Sequence, residues 1–139
     1  MKIMLIAGAL LAVTATASAH ADGRQLVDMP AMMQEHMLAN MRDHLAALDE
    51  INRAIAEDDL DRAAEVAEQR LGMSSLNDHG ASHMAQMIPK DMAAIGTGMH
   101  RAASRLARKL EEGDAAAVWA DLAAVTTQCV ACHAGYRIR

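Results

Sequence analysis

A chain of 139 residues with a formal net charge of −5 has room for one domain with a modest core. Thirteen Lys and Arg stand against eighteen Asp and Glu and are not gathered into runs, so the basic footprint that nucleic acid requires is missing. With no Phe, one Trp, one Tyr and twelve Met, the interior must reach close packing through small and flexible side chains. Such a core calls either for helices that approach closely at alanine or for a rigid filler.

The N-terminal segment reads as an export signal. Lys2 supplies its positive start and Ile3 to Val13 its apolar run, which is too short for a membrane span. Ala17-Ser18-Ala19 and Ala19-His20-Ala21 offer two cleavage points; the second defines a signal peptide over 1–21 and a mature domain over 22–139. No cysteine lies nearby for lipid attachment, and stable membrane insertion is not expected.

Asp22 to Met29 has no clear period and is expected to form a loose leader, followed by Pro30 in the first turn of a helix. From Met33 the apolar positions run through Met37, Met41, His44 or Leu45, Leu48, Ile51 and Ile55, predicting a first helix to about Ala56. After Glu57-Asp58-Asp59, the residues Leu60, Ala63, Ala64, Ala67 and Leu71 predict a short second helix, capped by Asp58 or Asp59 and ended by Gly72. Met73 to Pro89 is expected to be a loop with one or two helical turns, broken at Gly80.

A third helix from Pro89 or Lys90 carries Met92, Ile95, Met99, Leu106 and Leu110 on one face, has Gly96 where a neighbour comes close, and is closed by Gly113. Asp114 is expected to cap a fourth, on which Val118, Leu122, Val125, Cys129, Cys132 and Tyr136 follow one another in steps of four and three. Four amphipathic helices with short connections and no strand signal give an all-α fold, an antiparallel four-helix bundle.

The last helix carries Cys129-Val130-Ala131-Cys132-His133. Two cysteines three apart followed at once by a histidine is the spacing that attaches a haem: each thiol takes one vinyl group and the imidazole meets the iron. The competing readings of Cys-x-x-Cys are a redox disulfide, which an oxidising compartment would permit, and half a zinc site. The zinc reading wants a second Cys/His pair, and a thioredoxin-like one wants a strand-helix unit; neither is visible. One covalent haem c is therefore expected, and no hydrolytic or acid/base constellation suggests an enzyme.

The continuation Cys132-His133-Ala134-Gly135-Tyr136-Arg137 is similar to the Cys-His-x-x-aromatic-Arg ending of the class II c-type cytochromes, the cytochrome c-prime family. The resemblance implies a periplasmic four-helix bundle with the haem embedded in it, serving as a soluble electron carrier for redox partner proteins, and a possible homodimer paired through the first two helices. It also implies His133 as proximal ligand and a residue of the first helix against the other face of the iron. Met37 falls at the depth where the family places that residue, with Met41 one turn later and Leu38 beside it. A methionine there makes the iron six-coordinate; an apolar residue leaves it five-coordinate and able to bind gases such as NO or CO. His36 and His44 are weaker rivals. Arg137, one turn after His133, suits a haem propionate or the last carbonyls of the helix.

A second cluster, His79, His83, Met84, Met87, Met92, Met99 and His100, raises a third reading, a periplasmic copper-binding protein. His79 and His83 are four apart, the spacing that puts two imidazoles on one helical face, and thioether sulfur suits Cu(I). Gly80 between them weakens that helix.

Overall fold

The computed structural model of the protein describes residues 22–113 and 115–139, the side chains of 115–117 excepted. The expected signal peptide and the Asp114 cap lie outside the described residues.

The described chain is helical apart from one small sheet. α1 runs Ala31–Ala56, α2 Leu60–Val66, α3 Ala81–Met84, α4 Lys90–Glu111 and α5 Ala115–Gly135. Pro30 opens α1 at φ −56°, where its fixed dihedral suits a helix start and its missing N–H costs nothing. Asp58, at φ +61°, turns the chain between α1 and α2, a conformation that Asp tolerates better than most residues. Asp59 then caps α2 by accepting a hydrogen bond from the Arg62 amide at 3.1 Å. A single π-helical turn, Ala67–Leu71, prolongs α2. Gly72 ends it as expected, in an extended conformation at φ −72° and ψ −176°. Gly113 at φ +67° does follow α4 in the left-handed form.

The leader is not loose. Gln25–Leu26 forms β1 and pairs in parallel with β2, Tyr136–Arg137, while the Val27 amide donates to the Arg137 carbonyl at 2.8 Å. Val27 and Met29 are buried, and Tyr136 leaves the helix that its four-residue spacing had assigned it, since α5 ends at Gly135.

α1 packs on α2, α2 on α4 and α4 most extensively on α5; no comparable packing joins α1 to α5 among the described residues. α4 and α5 come close at Gly98, where an added Cβ would stand 3.0 Å from the Gln128 amide oxygen. Gly96, expected to play that part, faces open space. Arg62 and Arg70 tie α2 and its π turn to α1: Arg62 pairs with Glu50 and Glu65, and Arg70 with Asp43 and Glu50.

Two apolar clusters result. One is aliphatic, built on Ala47, Ile51, Ala63, Leu71, Leu106, Leu110 and Val125. The other is methionine-rich, with Val27, Met29, Met37, Met84 and Met92 at its centre. Cys129 packs against the first and Cys132 against the second. Among the described residues no helix is long and apolar enough to cross a membrane.

Candidate functional site

Where α1 and α5 stand apart, a cavity of about 530 Å³ opens between them, walled also by α4 and by residues 76–88. That volume is in the range of cofactor and small-ligand sites. Cys129, Cys132 and His133 line it from α5, and Met37 and Met41 from α1, with Met84, Ile88, Met92 and Ile95 supplying further apolar wall. The heptad-like steps explain the convergence: Val118, Leu122 and Val125 are buried against α4, and the same stripe continued by one and two turns delivers the cysteines to the cavity edge.

Both cysteines are free thiols. Burial pushes the two thiols up from their ordinary value, and for Cys132 the neighbouring Cys129 adds to the rise. They lie near the C-terminal, electronegative end of α5, where a thiolate is disfavoured again. Redox-active Cys-x-x-Cys pairs have the opposite character, a thiol lowered at a helix N-terminus or beside a cation. The cavity thus sets two half-buried thiols on one wall against methionine thioethers on the helix opposite.

Leu38, the alternative to Met37, is outside the cavity wall, as are His36 and Arg137. Arg137 sits in β2, where its buried Nε has no hydrogen-bond partner; its nearest anion is the Asp22 carboxylate at 3.6 Å.

The cavity also receives a group that spacing alone did not reveal. His44 of α1, His79 of the turn before α3 and His100 of α4 each direct a ring nitrogen to one place, the three atoms lying within 4.8 Å of one another. His44 Nε2 is 3.4 Å from His79 Nδ1, and the ring centroids of His44 stand 4.7 Å from His79 and 5.8 Å from His100. Burial lowers the proton affinity of all three, taking His44 down to about 4, with its two histidine neighbours reinforcing the effect. Each ring is therefore neutral near pH 7 and keeps one lone pair.

His83 does not belong to this group. Gly80, at φ +61°, breaks the chain between His79 and His83, so the two share no helical face; His83 is exposed in α3. The usable signal was a polar residue at a buried stripe position, which His44 and His100 both are. Leu45, the other candidate for the α1 stripe, is 69% exposed.

Comparison of the chain with protein-family models, with curated proteins and with solved structures finds no match.

Proposed function

We propose that the chain is an exported monohaem c-type cytochrome, an antiparallel four-helix bundle of the class II kind that carries single electrons between redox partner proteins in the periplasm. The observation that carries this reading is that Cys129, Cys132 and His133 line the same apolar cavity as Met37 and Met41. When bound, the haem supplies a one-electron iron couple. Cys129 and Cys132 would hold it as thioethers, each S–H adding across one vinyl group, and burial, which holds both thiols above their ordinary value, works against disulfide exchange. His133 and the Met37 sulfur would hold the iron, with Met41 next to Met37 on the same wall.

The methionine side chains would shield such a group from water, and a thioether ligand would favour the reduced iron. The Nε–H of Arg137 has an ion-pair neighbour in Asp22 at 3.6 Å but no hydrogen-bond partner, and Tyr136 and Ile138 on either side of it pack on the methionine-rich cluster; a haem propionate would supply the missing acceptor.

The test is the mature chain made in a host that attaches haem c. Its mass should rise by one haem, and its reduced spectrum should be low-spin and unaffected by carbon monoxide. Met37→Ala should give a high-spin form that binds carbon monoxide and has a lower reduction potential. A wild-type protein that binds carbon monoxide at once would establish the gas-binding alternative, and a colourless one of unmodified mass would end the cytochrome reading.

A further inference from the structure

We propose that His44, His79 and His100 form a binding site for one first-row divalent cation of the zinc type, distinct from the Cys-x-x-Cys-His motif. Three observations carry it. The three donor nitrogens come from three separate elements and still meet within 4.8 Å. Two nitrogens each about 2.05 Å from a tetrahedral zinc stand about 3.3 Å apart; His44 Nε2 and His79 Nδ1 are 3.4 Å apart, a separation that makes a poor N–H···N hydrogen bond.

The surroundings hold the rings as outer groups hold metal ligands. His100 donates from Nδ1 to the Leu71 carbonyl at 2.7 Å, which fixes the proton there and leaves Nε2 with the lone pair. The turn bearing His79 is clamped to α1: its carbonyl accepts from His36 Nε2 at 2.9 Å and from Asn40 Nδ2 at 3.0 Å. His36, Asn40 and His44 follow one another at four-residue steps, so one face of α1 both fixes the turn and presents a ligand to it. The donor set is three imidazoles without a carboxylate, which selects a borderline ion such as Zn²⁺ over Mg²⁺ or Ca²⁺ and leaves a fourth position for water.

This inference does not rest on haem attachment. The mature full-length chain, as isolated and then freed of loose metal with a chelator, is titrated with Zn²⁺ in a calorimeter and in competition with a chromophoric chelator, with Mg²⁺ as control. One Zn²⁺ per chain is expected, with three imidazole nitrogens seen at the zinc X-ray absorption edge and no Mg²⁺ uptake. His79→Ala, in a half-buried turn, and the milder His44→Gln should each abolish stoichiometric binding with helical circular dichroism retained. His36→Ala should weaken it about 10- to 100-fold.

Absence of stoichiometric Zn²⁺ in the folded wild type, or unchanged affinity in both ligand variants, overturns the site. So does a shift of the haem absorption bands in His79→Ala or His44→Gln, which would assign these rings to the iron. Failure of the cytochrome reading is recognised separately, by mass and colour.

Discussion

Glu68 illustrates how much a single carboxylate contributes when its partners are local. It accepts hydrogen bonds from the Ser74 amide at 3.1 Å and the Ser74 hydroxyl at 2.5 Å, which ties the π turn to the 3₁₀ turn Met73–Leu76. Partial burial works to raise its pKa, but the bonds from Ser104 and Ser74 outweigh it and the carboxyl is held below its ordinary value. A lowered folded-state pKa means stability that is complete above the unfolded value, about 4.3, and lost as pH falls through the folded one. Glu68→Gln is accordingly expected to cost about 1 kcal/mol at pH 7 and progressively less below about pH 4, measured by urea denaturation across that range. At this same scale the histidine cluster shows the limit of reading a sequence. The stripe of α1 offered His44, and His100 was noted only among the Met and His residues of the third helix; residues 44, 79 and 100 meet only through tertiary packing, and the i,i+4 pair that spacing favoured, His79 with His83, is broken by Gly80.

Among the elements, α1 and α4 were legible to within a residue or two because their apolar steps of three and four are long and uninterrupted. β1 was not. Its only sign is the alternation of Val27 and Met29, too short to stand out from a loop, and its partner β2 follows the last helix at the far end of the sequence. The strand's own residues are exposed, but the residue that follows them is anchored in the core. Val27 is 4% exposed, and its amide closes the ladder onto Arg137. Val27→Ala should destabilise the protein by about 1–2 kcal/mol, lowering the denaturation midpoint with an unchanged slope. An unaltered midpoint would mean that the strand pair adds nothing to the fold.

For the molecule as a whole, the absence of Phe becomes intelligible once the cavity is in view. Alanine brings helices together in the aliphatic cluster, while methionine lines a space that side chains alone leave open. In the proposed cytochrome the porphyrin completes that half of the core, so Cys129→Ser/Cys132→Ser, made in the same host, should lose covalent haem and with it several kcal/mol of stability. Calorimetry should show a lower, broader transition than the coloured wild type. If both proteins melt alike, the cavity does not depend on its cofactor for stability. The methionine surplus hinted at this from composition alone; the position and extent of the space depended on how far apart α1 and α5 stand, which no local pattern encodes.

The parallel pairing of β1 with β2 encloses nearly the whole described sequence in one loop. Ring closure over so long a span is entropically slow, whereas neighbouring helices can find each other after only short excursions. The two-strand clasp should therefore form last in refolding, after the helical pairs, and amide protection at Gln25–Val27 and Tyr136–Arg137 should trail that of α4 in a pulse-labelling experiment.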